Sequence, residues 1–298
     1  MRTLLLISVV LVLAFLFGKK YILHGNKEET NIINNAEEQR DLIPPTQEIV
    51  AKRALCLGAV IMRGNFEQVV QNIAPDYSKG AGDALKKEHE KLNENLKKWL
   101  KDNNLTDSLS KKEKALFSKS LGSWNQQEII DISWRAQSLG MILWALSLEE
   151  KIPSYDVEIN DSPLIKTLGL NKPVVEFYNK AKLRSKENIM KARDAAELWH
   201  WRSRTSQLIQ QGRLSYNQKT PQVNKTLEEV IKLSVDEGFK HNDLPKPIGN
   251  DFPVFGKAYR DLNEQEFSIA TSIAMERHFA LNWLCGYSED WDETPTDT

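Results

Sequence analysis

The sequence predicts an all-α protein: one compact multi-helix region with no sheet, preceded by an N-terminal transmembrane or signal-anchor helix. Three observations carry this expectation. Apolar residues recur at steps of three and four from Thr46 to Gly286, the period of an amphipathic helix. Hydroxyl residues stand three positions ahead of Glu or Gln at several helix starts, the spacing of a capping box. No segment alternates apolar and polar residues between turn signals, as a half-buried strand does. The 298 residues carry 40 Lys+Arg against 41 Asp+Glu, and this balance argues against nucleic acid as a partner, which demands a basic footprint. Eight Trp and ten Phe give the chain enough burial to exclude general disorder. Two Cys cannot build a disulfide scaffold, and no zinc-type Cys/His spacing occurs. No cofactor or metal is expected.

The first element is residues 1–23. Thr3 to Gly18 read TLLLISVVLVLAFLFG, without a charge, between Arg2 and Lys19-Lys20. A spanning helix needs about 20 apolar residues, roughly 17 at the short end. Tyr21, Ile22 and Leu23 extend the segment if the two lysines snorkel. A cleaved export signal is the alternative, but its small-residue cleavage site is missing: Leu16 precedes Gly18 and Leu23 precedes Gly25. The expectation is therefore a single-pass membrane protein, anchored through residues 1–23. The side of the membrane stays open, because Arg2 and the amino terminus oppose Lys19, Lys20 and Lys27. Residues 24–43 are polar and rich in Asn and Glu, a tether.

The helical domain then spans 44–298. Pro44-Pro45 ends the tether and Thr46 caps the first helix. Capping boxes are read at Ser110–Glu113, Ser123–Gln126 and Thr226–Glu229. The helix opened at Ser123 carries two apolar stripes, Ile129, Ile132, Ala136, Leu139, Leu143 and Leu146 beside Ile130, Trp134, Met141, Trp144 and Leu148. A helix apolar on two faces is a buried central one. Residues 81–101 have one apolar face only and suit the surface. Ser185 to Gly212 and Asp261 to Gly286 are long helices closed by C-cap glycines. Loops fall near 151–163, 213–222 and 241–256, and about nine helices result. Cys56 and Cys285 lie in apolar helical stretches and read as small core residues.

Chemistry is sparse. There is no phosphate loop, nucleophile elbow or HExxH. Ser108-Leu-Ser-Lys111 has the SxxK spacing without its partner motifs, and Glu197-Leu-Trp-His200 has no second ExxH to complete a di-iron set. What remains is a concentration of Trp, Arg and His at inward helix positions: Trp134 and Arg135, then His200, Arg202 and Arg204, then Arg277 and His278. The tail adds Asp290, Asp292 and Asp297 around Trp291. Arginine holds carboxylates with two parallel hydrogen bonds, so the tail is expected to dock on the helices that carry Arg135, Arg202 and Arg277. The cluster is either a structural network or an anion-binding pocket, and no catalytic residue is assigned. A non-enzymatic interaction module at a membrane, with a protein partner, is favoured. The rival is a hydrolase or transferase taking an anionic small molecule through Arg135, His200, Arg202 or His278. Exposure of those side chains discriminates the two.

The same residues carry a resemblance. PPTQEIVAKRALCLGAVIMRG at 44–64, WNQQEIIDISWRAQSLGMILWAL at 124–146, LRSKENIMKARDAAELWHWRSR at 183–204 and ERHFALNWLCGYSEDWDETPTDT at 276–298 resemble the bacterial domain-of-unknown-function family 4272. The resemblance implies a single α-helical domain over nearly all of 44–298 and no assigned reaction, ligand or catalytic residue. The N-terminal anchor departs from the plain soluble form of many of its members.

Overall fold

The computed structural model describes residues 42–73, 79–220 and 224–296. The expected anchor at 1–23 and nearly all of the tether lie outside the described residues, as does Asp297. Among the described residues no helix is long and apolar enough to cross a membrane.

Nine α-helices are found among the described residues. The first, α1 (Gln47–Gln71), starts where expected: Thr46 is extended and its hydroxyl accepts from the amide of Ile49 at 3.4 Å. Its middle, Arg53 to Ile61, is buried without interruption, the mark of a helix surrounded by others. Each fully buried aliphatic side chain there, such as Leu55, Leu57 or Ile61, stabilises the fold by roughly 1.5–3 kcal/mol over exposure. At Gly58 a Cβ would lie 2.0 Å from Leu168 Cδ1, so only glycine lets the helix from Asp161 approach this closely.

The surface helix α2 (Lys79–Asp102) turns one face inward, with Leu96, Trp99 and Leu100 buried. A 3₁₀ turn at Thr106–Ser108 leads to α3 (Lys111–Ser118), where both arms of the Ser110–Glu113 capping box form. The next cap differs from the sequence expectation. α4 (Gln126–Ala145) is capped by Asn125 paired with Glu128, not by Ser123 with Gln126. The Ser123 hydroxyl instead donates to the Ser120 carbonyl at 2.7 Å, so it stabilises the preceding turn. Along α4 the first apolar stripe is buried throughout, whereas the second begins with an exposed Ile130 and a half-buried Trp134. Two short helices follow, α5 (Asp161–Leu168) and α6 (Val175–Lys180). The long α7 (Lys186–Gln210) is capped by Ser185. α8 (Leu227–Lys240) begins at the predicted Thr226–Glu229 box, and α9 (Glu264–Leu284) at an Asn263–Glu266 box.

The expectation of no sheet is corrected. Two short antiparallel hairpins form, β1 (Lys219–Thr220) with β2 (Lys225–Thr226) and β3 (Pro253–Val254) with β4 (Lys257–Ala258). Two-residue strands are too short to show a period of two. The second hairpin turns on Phe255 and Gly256, both left-handed at φ 51° and 71°, the backbone of a type I′ turn.

The long helices pack in the order α1, α4, α9, α7; α2 and α5 flank α1, and α8 lies on α7. The main core runs through α1, α4 and the C-terminal half of α9. A second core joins Trp199 and Trp201 of α7 to Val235 of α8, Phe252, Tyr259 and Ala274. Tyr155, in the loop before α5, packs against both. The segment before α1 packs against the turn after α9: Gly286 is left-handed at φ 86°, and a Cβ there would stand 2.5 Å from the Ile43 carbonyl carbon.

Candidate functional site

The inward polar residues belong mostly to two neighbouring helices. On α7, Arg193, Glu197, His200 and Arg204 recur at steps of four, three and four, with Arg202 on an adjacent stripe. On α9, Glu276, Arg277, His278 and Asn282 are all buried. Between them they form three separate arrangements.

The first is centred on Arg202, which has no solvent exposure. Its Nε and Nη2 each donate to one oxygen of Asp251 at 2.6 Å, and Nη1 donates to the Ser206 hydroxyl at 2.5 Å. The Asp251 carboxylate also accepts the backbone amides of Phe252 at 2.8 Å and Arg260 at 3.1 Å. One carboxylate thus cancels a buried charge and fixes the β3–β4 hairpin. The Tyr259 ring stacks on the guanidinium, 4.8 Å from its centroid.

The second is centred on Arg277, equally unexposed. Its donors reach Gln137 Oε1 at 3.0 and 3.1 Å and the backbone carbonyls of Pro153 (2.6 Å), Ser154 (3.1 Å) and Val157 (2.8 Å). All its hydrogen-bond acceptors are neutral oxygens. Burial pulls the guanidinium down to about 10, which leaves it charged at neutral pH. Nearby, Glu276 Oε2 accepts from the Ser138 hydroxyl at 2.6 Å and from Nη1 of the half-buried Arg135 at 3.2 Å. Burial nonetheless raises the Glu276 carboxyl above its ordinary value, against the pull of Arg135.

The third joins the two helices. His200 Nδ1 and His278 Nδ1 lie 3.0 Å apart. Burial, followed by the charges of His200 and Arg193, holds His278 well below its ordinary value. Arg193 chelates Glu197 at 2.6 and 3.1 Å and donates from Nε to Asn282 Oδ1 at 2.8 Å.

Several expected residues fall outside these arrangements. Arg204 is half-buried and donates to Gln207, and Trp134 is half-buried beside Arg135. The described part of the tail docks, but not on Arg135, Arg202 or Arg277: Arg135 donates to Glu276, and the donors of Arg202 and Arg277 are engaged as above. Trp291 is buried edge-on against Phe279 and Trp283 at 4.7 and 5.3 Å, with the Arg53 guanidinium 5.2 Å from its centroid. Asp292 accepts from the Lys112 amide in the first turn of α3 at 2.8 Å, and Asp290 caps the 3₁₀ turn at Trp291–Glu293. Arg53 itself is tied to Glu113 at 2.5 and 2.6 Å.

Sequence reasoning missed Asp251, Gln137, Asn282 and two further buried pairs, Arg53–Glu113 and Arg63–Glu67. Only the Arg63–Glu67 and Arg193–Glu197 pairs carry a legible signal, their spacing of four on one helix. The remaining partners are far apart in sequence.

Neither of the two best-formed hollows among the described residues touches this network. One is an open cleft of about 530 Å³ between α2 and the α3–α4 connection, lined by Lys86, Glu90, Asn93, Lys97 and Lys119 among others; the second is a groove of about 70 Å³ beside Pro44 and Pro45. No group of three or more metal-ligating side chains occurs among the described residues. Cys56 and Cys285 are free core thiols, each pushed by burial up to about 12.

Residues 27–218 match the family described as a domain of unknown function, DUF4272. The match stops before β1, so α8, α9 and the tail lie beyond it. No curated protein and no solved structure matches the chain.

Proposed function

The chain belongs to the uncharacterised DUF4272 family, and from that premise we propose that it is a non-enzymatic interaction module whose buried arginine and histidine network holds the fold together. The observation that carries this is closure to solvent. Arg202, Arg277 and His278 have no exposure, and the donors of both arginines are taken up by protein oxygens. A substrate pocket presents some convergent polar groups to a cavity. Here the two hollows described above lie elsewhere. The finer assignments, a membrane held through residues 1–23 and a protein partner, rest on the apolar N-terminal segment and on the absence of a catalytic constellation from the sequence motifs. The open cleft beside α2 has room, and charges of both signs, for a polar segment of such a partner.

The test runs a crosslinking pull-down of the full-length chain from membranes beside a thermal-shift screen of anionic metabolites. Capture of a defined partner with no metabolite shift supports the module. A metabolite that raises the midpoint by several degrees, lost in Arg135→Gln, with no partner captured, overturns it in favour of an anion-handling enzyme.

A further inference from the structure

The open cleft between α2 and the α3–α4 connection is polar almost throughout: of its nine lining residues only Leu121 is apolar. Its volume of about 530 Å³ is that of a small-molecule pocket, but its lining suits a charged or hydrogen-bonding ligand. Lys86, Glu90, Asn93, Glu94 and Lys97 share one face of α2, at spacings of three and four. Much of the charge is balanced within the protein. Glu94 accepts from Lys97 at 3.1 Å and its charge also acts on the buried Arg63 of α1, while Lys119 is held by Glu128. Two charges are left over. The exposed Lys86 and Glu90 have no ion pair among the described residues, and Lys ahead of Glu is the weaker order for a pair four apart. Glu90 and Glu94, also four apart, repel each other, and a cation between them would relieve this.

Asn93 stands between those two carboxylates. It lines the cleft although it is only 3% exposed. Its Nδ2 donates to Glu94 Oε1 at 3.3 Å, and its buried Oδ1 has no hydrogen-bond partner among the described residues. A buried acceptor without a donor is rare in a folded chain. The terminal torsion of asparagine is soft, so the amide can turn Oδ1 toward a donor that enters the cleft. A bare anion brings no such donor. The ligand that satisfies all three groups carries a cationic donor for Glu90 and Asn93 and an anion for Lys86. Lys86 and Glu90 are four residues apart, about 6 Å along the helix axis, or roughly the length of two extended residues.

We propose that this cleft binds short zwitterionic peptides, with the α-ammonium held by Glu90 and Asn93 Oδ1 and the α-carboxylate by Lys86. Recognition of this kind captures chain ends and leaves the ligand's side chains free to vary. It rests on the interaction-module reading, in which the cleft is the ligand-facing part of the molecule.

Titration of the full-length chain with dialanine, followed by nuclear magnetic resonance of the backbone amides, reads the site. Saturable shifts confined to α2 and residues 118–122 are expected. N-acetyl-dialanine lacks the ammonium and dialanine amide lacks the carboxylate, so each should bind about tenfold or more weaker. Glu90→Gln and Lys86→Gln, both exposed substitutions that spare the fold, should weaken dialanine by a similar factor. Asn93→Ala should weaken it as well. No saturable shift, equal binding of the blocked peptides, equal binding of free alanine, or binding untouched by Glu90→Gln overturns the proposal and leaves the interaction-module reading standing. Dialanine binding that is lost in Arg135→Gln but kept in Glu90→Gln would place the ligand at the arginine network and overturn both.

Discussion

Arg202 and Arg277 are equally sealed from solvent, yet the regions around them hold the charge by different means. At Arg202 a carboxylate cancels it and, through the same two oxygens, pins the amides that flank the β3–β4 hairpin. At Arg277, Gln137 and three loop carbonyls solvate it much as water would. The comparison shows what each arrangement fixes. A carboxylate brings its own charge and desolvation cost, so the pair stands or falls together. The carbonyl cage instead satisfies backbone groups of a loop, 149–160, that has no regular structure to satisfy them.

The sharpest way to break the first region is Asp251→Asn. The shape is kept but Arg202 is stranded, and a cost of about 3–5 kcal/mol in chemical denaturation is expected. The double replacement Arg202→Met, Asp251→Asn should cost less, because no buried charge is stranded and the amide oxygen can still accept from one of the two backbone amides that Asp251 holds. A third region, the tail, stands on apolar contact, so Trp291→Ala should cost about 3–5 kcal/mol through the hole left against Phe279 and Trp283. In the carbonyl cage Gln137→Leu removes one of four acceptor groups, and on the order of 1–3 kcal/mol is expected. A loss at Gln137 as large as that at Asp251 would erase the distinction between the two regions.

The histidine pair adds a pH dependence. His278 is held below its ordinary value, so below about pH 6.5 the unfolded chain binds a proton that the folded chain refuses. Stability is therefore full above that pH and falls as the pH falls through the depressed value. Glu276, raised by burial, acts in the opposite sense: above about pH 4.5 the folded chain keeps a proton that the unfolded chain has lost. Subtracting the acid melts of His278→Gln from those of the unaltered chain isolates the histidine, with a slope of up to about 1.4 kcal/mol per pH unit. Equal slopes in the two proteins would remove His278 from the account. The smallest effect is expected at Asp292→Asn, under about 1 kcal/mol by thermal melt, since the amide oxygen can still accept from Lys112.

The fold was legible where its signals are local. Thr46, Ser110 and Thr226 cap the helices they were read to cap, because a cap is decided within four residues. At Ser123 the reading fell two residues early, because Asn125 has the same spacing to Glu128 and prevails with it as its reciprocal partner. The hairpins escaped because two paired residues leave no period. The candidate site was legible by residue type but not by partner. Arg277 meets Gln137 from 140 positions away, and Arg202 meets Asp251 across 49, distances at which spacing carries no information. The tail shows both sides. A Trp in an acidic chain end signals docking, but nothing in the sequence points to Arg53 and Lys112 as its seat. The match to DUF4272 ends at residue 218, so α9 and the tail, which complete every one of these arrangements except that of Arg202, stand outside it.

The central claim is that the network is a closed structural device. The most direct measurement is nuclear magnetic resonance of the Arg202 and Arg277 Nε–H groups in the full-length chain, with and without a mixture of phosphate, carboxylate and nucleotide anions. The account predicts slowly exchanging resonances that the anions leave in place. Rapid exchange with water, or a saturable shift on adding an anion, would show that the arginines are open to a ligand and would contradict it.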